Sequence, residues 1–398
     1  MRIGFNALCI SPNYKGGVNS FVFGLIDAFA RVGGAHEFAV FVNPPSRVMF
    51  EKYQDCRHFR IIETNRSSNW RLHRAYDRLP WQIRCRLPKA LPARFLSSEC
   101  ARLIEREADV HFVPFCPPSV FPLPSVPTLY SIHDIQHAHF PKFFSRQQLM
   151  ERKVEFAQCI GHATAIQASS RYMLRDFLDH FPTLKEEQVC VIREGVDIDT
   201  FAQPGTAVEV KAKYRLPEAF LFYPAQLWHH KNHLTVLRAL RRLRERNIEI
   251  PLVLTGARYE ASQNIFDFIE RNALASQVFY LGLVPFGDLV ALYQAARFLI
   301  TAVLYESSSI PILEAAAAGT AIIASRTPPN EELAEHLEMQ LFSPTDDADL
   351  ADVLAAAWNE EALIERQVKA NKAGIRQFSW DKAARDYLKV LESIGPRR

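Results

Sequence analysis

The sequence predicts an α/β protein made of two doubly wound domains with mostly parallel, buried strands. Short apolar runs alternate with longer amphipathic ones along the chain, the pattern of strands covered on both faces by helices. At 398 residues the chain suits two domains of ordinary size better than one. A strand–loop–helix pattern opens at Met1 and restarts after a polar, poorly periodic seam at 195–217, where Gly195, Pro204, Gly205 and Pro217 fall. Two such domains in tandem are expected to bind ligands in a cleft at the C-terminal ends of their strands.

The first strand is expected at 2–8. It begins at once, because Met1-Arg2-Ile3-Gly4-Phe5-Asn6-Ala7-Leu8 turns polar too soon for a signal peptide. Further strands are expected at 37–42, 110–113, 126–132, 163–168 and 189–193. In the second half they fall at 219–224, 251–255, 277–281, 297–302 and 320–325. A helix at 18–32 places Val18, Phe21, Val22, Leu25, Ile26, Phe29 and Val32 on one stripe. Another at 233–246 does the same with Leu234, Val236, Leu237, Leu240 and Leu243.

With 48% hydrophobic and 23% charged residues, the chain is no disordered tail, collagen-like fibre or disulfide-stapled miniprotein. A net charge of +3 singles out no class of partner. Seven cysteines, at 9, 56, 85, 100, 116, 159 and 190, are scattered without a C-x-x-C pair, which predicts free thiols in a reducing compartment. No run of about eighteen apolar residues is present to span a bilayer. A cytoplasmic protein is expected, able to sit peripherally on the inner face of the membrane.

Tyr305-Glu306-Ser307-Ser308-Ser309-Ile310-Pro311-Ile312-Leu313-Glu314, running on through four alanines to Gly319, is the most informative passage. Ser308 or Ser309 suits an N-cap, Pro311 is tolerated in a first turn, and Gly319 stops the helix. Glu306 then sits on a loop above a strand end, with Glu314 about one turn into the helix. The N-terminus near Ile310 offers unpaired N–H groups and partial positive charge, and Ser307, Ser308 and Ser309 add hydroxyl donors, so the loop is fit to hold a phosphate. The carboxylates make better sense as acceptors for sugar or ribose hydroxyls. On the carboxylates alone, a second reading stays open: Glu314 favours the helix dipole and Glu306 is solvated.

Glu306-x7-Glu314, followed by a small-residue helix, Gly319 and an apolar strand, resembles the donor-site signature of retaining glycosyltransferases of the GT-B fold, with family 4 the nearest match. The family commonly has glycines after the first Glu where this chain has three serines. Gly16-Gly17 resembles the family's first glycine loop, His133-Asp134 its histidine motif, and Gly195-Val196-Asp197 its interdomain motif. Tyr223-Pro224-Ala225-Gln226-Leu227 through Lys231-Asn232 resembles the phosphate-anchoring stretch, Gly282 the base-side loop, and Trp380 the tryptophan that opens the last helix.

The resemblance implies an acceptor-side domain at 1–204, a nucleotide-sugar domain at 205–376 and a helix at 377–398 crossing back to the first. It further implies that Glu306 holds the hexose, Glu314 the ribose, and that Lys231 neutralises the diphosphate leaving group. Gln226 replaces the family's usual arginine and keeps a hydrogen-bond donor; His229, His230 or Arg193 are candidates to restore the charge. Gly16 and Gly17 bring backbone N–H groups close to the ligand, and His133 contacts the donor sugar or acceptor.

No obligatory metal is expected. Asp197-Ile198-Asp199 spells D-x-D but sits in a turn at the seam, and His133, His137 and His139 lack a cysteine pair or second cluster. Residues 66–96 carry seven arginines and Lys89 against Asp77, interleaved with Trp70, Tyr76, Trp81 and Phe95. Arg71, Arg74, Arg78 and Arg84 are candidates to bind anionic lipid or an acceptor diphosphate; the other reading is a solvated arginine-rich loop. No nucleic-acid module surrounds them. No G-x-S-x-G elbow, G-x-G-x-x-G or P-loop is present.

The expected activity is therefore metal-independent, retaining transfer of a hexose to a saccharide or lipid-linked acceptor in bacterial surface glycan synthesis. GDP-mannose is the favoured donor and a UDP-hexose the second. Another sugar-nucleotide enzyme on the same fold, an epimerase or phosphorylase, and a non-catalytic nucleotide-sugar-binding protein are the alternatives.

Overall fold

A computed structural model describes residues 1–12, 17–64, 99–116, 123–203 and 207–396. The chain divides into two units, Met1–Gly195 with Trp380–Arg398, and Val196–Ser379. Gly16 and the basic stretch 66–96, with Arg71, Arg74, Arg78 and Arg84, lie outside the described residues.

The first unit carries parallel strands β1 (Arg2–Asn6), β2 (Glu37–Val42), β3 (Phe59–Glu63), β4 (Val110–Val113), β5 (Thr128–Ser131), β6 (Ala165–Ala168) and β7 (Val189–Val191). They are ordered β3-β2-β1-β4-β5-β6-β7, with Ile3 in register with Phe38 on one side and Val110 on the other. The second unit carries β8 (Leu221–Pro224), β9 (Leu252–Thr255), β10 (Val278–Tyr280), β11 (Phe298–Thr301), β12 (Ala321–Ser325) and β13 (Gln340–Phe342), ordered β10-β9-β8-β11-β12-β13. Each sheet thus reverses strand order once, at β1/β4 and at β8/β11. Ligands of such sheets bind outside the strand ends at that point.

Successive side chains of a strand point to opposite faces, and in the second unit both faces are buried. Leu221 and Tyr223 join one core with Leu252, Leu254, Phe298 and Ile300. Phe220 and Phe222 join the other with Val253, Leu299 and Ile322. In the first unit the helix Gly17–Val32 buries Phe21, Val22, Leu25, Ile26 and Phe29. The helix Trp380–Ile394 completes that core with Trp380, Ala383, Ala384, Tyr387, Leu388 and Leu391. Gly24 lets the two helices approach, since a Cβ there would lie 2.4 Å from the Trp380 indole.

Two features depart from expectation. β3 and β13 were not anticipated; both lie at sheet edges, where the apolar signal is weakest, and Arg60 and Glu63 of β3 are exposed. The units divide at Gly195/Val196 and Ser379/Trp380 rather than at 204/205 and 376/377. The reason is packing. Phe201 sits 5.6 Å from Tyr293 in the second unit's core, and Val196 pairs with Ser379 while its N–H donates to Phe378 O at 2.8 Å. The six described cysteines form no disulfide, and no helix among the described residues is long and apolar enough to cross a membrane.

Candidate functional site

In the second unit the loops after β8 and β11 flank the switch in strand order. The first passes through the 3-10 turn His229–Lys231 into helix His233–Glu245; the second leads to helix Ile310–Ala318. Asn232 joins turn to helix in the left-handed region, at φ 55°. Its Nδ2 donates to Ala302 O at 3.0 Å and Pro344 O at 2.7 Å. Leu304 N–H donates to His230 O at 2.9 Å. The buried Tyr223 hydroxyl donates to Lys231 O and accepts from Ala302 N at 3.2 Å. These bonds stitch the loops together, and Lys231 Nζ stands 3.3 Å from Glu306 Oε2. The Glu306 side chain is only 9% exposed and that of Lys231 23%.

Ser309 occupies the N-cap position of Ile310–Ala318, but its hydroxyl makes no cap bond; the carbonyl accepts from Ile312 and Leu313 N–H at 3.0 and 3.3 Å. That hydroxyl is fully buried and has no hydrogen-bond partner among the described residues. Ser307 is buried beside it and Ser308 partly so. Glu314, one turn into the helix, takes a 2.6 Å hydrogen bond from the Tyr293 hydroxyl. Burial pushes the Glu314 carboxyl up to about 7, against the pull of that bond. Lys231 and Glu306 are thus brought together, while Glu314 is held by Tyr293.

Gln226 Oε1 accepts from Trp228 Nε1 at 2.8 Å, and Trp228 stacks on Tyr259 with centroids 3.7 Å apart. The backbone there presses on Gly256 (φ +126°), where a Cβ would lie 2.5 Å from Ala225 O. Gly282 adopts φ +69° and accepts from Gly256 N–H at 2.8 Å. Burial first, then the neighbouring Lys231, drive the pKa of His230 down to about 2 in the chain without ligand. Asp197 caps the helix Ile198–Ala202, accepting from Thr200 N at 3.1 Å and Thr200 Oγ1 at 2.7 Å.

In the first unit Gly17 opens the helix Gly17–Val32, and among the described residues nothing lies within 4 Å of where its Cβ would stand. His133, just past β5, has its Nδ1 3.2 Å from Glu194 Oε1 and its Nε2 2.8 Å from Pro114 O. A carboxylate beside Nδ1 and a carbonyl beside Nε2 favour the protonated ring. Burial opposes that charge, but the hydrogen bond and charge of Glu194 outweigh it and raise the pKa. Phe21 packs edge-on against the ring at 4.5 Å. Both ring nitrogens thus have partners within the unit itself. His137 packs on Phe156 at 5.1 Å, and His139 pairs with Asp176 at 2.8 Å.

Sequence reasoning missed Glu194, Tyr293 and the Tyr223 hydroxyl as partners of these groups. Each is a polar residue in an unremarkable local context, and nothing local signals the contact.

Residues 209–377 match the family described as glycosyl transferases group 1, and residues 15–200 match glycosyltransferase family 4. Both halves of the chain are thereby accounted for. The chain belongs to the family 4 glycosyltransferases of the GT-B fold. Among curated relatives, this glycosyltransferase is 25% identical over 259 residues to the O-antigen chain mannosyltransferase B of Escherichia coli, covering 63% of this chain and 66% of that one. It is 29% identical over 212 residues to the phosphatidyl-myo-inositol mannosyltransferase of Mycobacterium tuberculosis, covering 51% and 54%. The matches therefore span less than two thirds of those relatives' length. Anabaena HepE, solved in complex with UDP and glucose, superposes with a TM-score of 0.71 at 15% identity, over 99% of this chain and 100% of that one; the likeness concerns the fold.

Proposed function

We propose that this chain is a retaining glycosyltransferase that moves a hexose, mannose in first place, from a nucleotide diphosphate sugar to a saccharide or lipid-linked acceptor of a bacterial glycan. The pairing of Lys231 with Glu306 at the strand-order switch, on the loop leading to the N-terminus of Ile310–Ala318, carries the proposal. Mannose is favoured because the curated relatives are mannosyltransferases. A UDP-hexose stands second, on the UDP and glucose of the structural neighbour.

In this reading Lys231 leaves Glu306 for the diphosphate and neutralises the charge that develops on the leaving group. Glu306 accepts from a sugar hydroxyl and Glu314 from the ribose. The N–H groups at Ile310 and the Ser307, Ser308 and Ser309 hydroxyls donate to phosphate oxygens. Gln226 supplies a neutral donor, while Gly17 and Gly282 let backbone approach phosphate and base. The acceptor hydroxyl attacks on the face the leaving group departs from and passes its proton to the departing phosphate. The new glycosidic bond forms as the sugar–phosphate bond breaks. The charge of Lys231 and the helix N-terminus replaces a metal at the diphosphate.

Thermal-shift measurements with GDP-mannose, UDP-hexoses and dTDP-sugars test the donor. Glu306→Ala is expected to lose most transfer and keep nucleotide binding. Glu314→Ala should weaken nucleotide binding by about 1–3 kcal/mol, as for a lost buried hydrogen bond. If both variants bind nucleotide diphosphate as wild type does, the assignment of Glu314 is wrong. For the acceptor side, the proposal keeps Arg71, Arg74, Arg78 and Arg84 as contacts to an anionic lipid surface. Flotation with anionic vesicles that is lost as salt rises checks it.

A further inference from the structure

The helix Arg171–His180 begins at Ser170, whose hydroxyl accepts from Met173 N–H at 3.2 Å. Asp176 and His180 stand one turn apart at its C-terminal end, on one face. The Asp176 carboxylate is buried, its side chain 4% exposed. His139, closing the short helix Gln136–His139, brings Nε2 to 2.8 and 2.9 Å from the two Asp176 oxygens. His180 Nδ1 lies 3.2 Å from Asp176 Oδ1 and 2.9 Å from its carbonyl oxygen. The imidazole rings are 5.0 Å apart, and one ligand atom from each residue falls within 4.8 Å of the others.

We propose that His139, Asp176 and His180 form a divalent-metal site, with zinc as the fitting ion, that clips Gln136–His139 to the end of the helix Arg171–His180. Two imidazole nitrogens and one carboxylate oxygen are the donor set zinc takes, whereas calcium and magnesium want oxygen alone. Ligands at about 2.0–2.2 Å from a tetrahedral zinc are roughly 3.3 Å from each other. The separations from Asp176 are already within a few tenths of an ångström of that. Without metal, the contacts are held by protons on the imidazole nitrogens facing Asp176. The metal takes their place: in a neutral ring the proton moves to the other nitrogen, and an imidazolium releases one to solvent. The buried carboxylate supplies the anionic anchor. The two partly exposed imidazoles leave the remaining coordination positions to water.

The site is distinct from the His133, His137 and His139 triplet weighed from the sequence, because His133 and His137 make their contacts elsewhere. It also stands apart from the donor-site reading and does not rest on it. The test is titration of the full chain, stripped with chelator, with cobalt(II), followed by its visible ligand-field absorption, and equilibrium dialysis with zinc. One equivalent of zinc is expected per chain. His139→Ala and His180→Ala, each removing a surface ring, should weaken it at least tenfold. His36→Ala serves as control, since His36 pairs with Glu392 at 3.0 Å elsewhere in the same unit, and should leave zinc binding unchanged. Cobalt or zinc uptake that is equal in wild type and both variants, or absent from wild type, overturns the proposal and leaves a hydrogen-bonded triad.

Discussion

A carboxyl that burial lifts to about 7 is only partly ionised at neutral pH, and Glu314 is such a group. If it accepts ribose hydroxyls as a carboxylate, affinity for nucleotide diphosphate should rise with pH through about 7 and then level off. Glu314→Gln should flatten that profile, and a flat wild-type profile would remove the ribose role. Its folded-state value is raised, so its contribution to stability is full below its ordinary 4.5 and fades as pH climbs through about 7. His133 titrates with the same sign. Its raised value means that the stabilisation from the Glu194 pair is complete below 6.5 and is lost as pH passes the raised value. Glu194→Gln is therefore expected to cost about 1.5–3 kcal/mol at pH 6, the worth of a hydrogen bond to a charged group. By urea denaturation the gap from wild type should narrow as pH rises above 6.5. A gap that does not change with pH would mean that the ring is not the cation described.

The loops of the second unit depend on Asn232, which combines a left-handed backbone with two carbonyl contacts. Asn232→Gly keeps the backbone and loses the amide. Asn232→Ala loses both and should be about 1 kcal/mol less stable than the glycine variant, by chemical denaturation. Equal stabilities would show that the backbone geometry there is not demanding. Central strands such as Leu252–Thr255 and Phe298–Thr301 are legible in the sequence because burial on both faces writes an unbroken apolar run. Edge strands β3 and β13 carry no such run and are not legible. Glu306, Lys231 and Glu314 are legible through their spacing within a family pattern. Their surroundings are not, because the bonds that place them join residues far apart in the chain: Tyr223 to Ala302 across 79 positions, and His133 to Glu194 across 61. Local periodicity carries no information about such pairs.

At the scale of the molecule, the first unit is built from both ends of the sequence. Trp380, Tyr387, Leu388 and Leu391 are buried in its core, each worth about 1.5–3 kcal/mol of burial, together comparable to a domain's whole stability of about 5–15 kcal/mol. Ending the chain at Ser379 should therefore strip hydrogen-exchange protection from β1 and β4 while the amides of β8 and β11 stay protected. Unchanged protection in β1 and β4 would show that the last helix is only an ornament on that unit. The same connectivity sets an order of events on the ribosome. The sheet of the first unit emerges first, yet the helix that covers Gly17–Val32 is translated only after all of Val196–Ser379. At about 5–20 residues per second, that is a wait on the order of ten seconds or more. During it the second unit has everything it needs to fold, while Phe21, Leu25 and their neighbours remain without their cover. The part of the chain made first is thus the part finished last, and its nascent apolar face is the natural client of a holding chaperone.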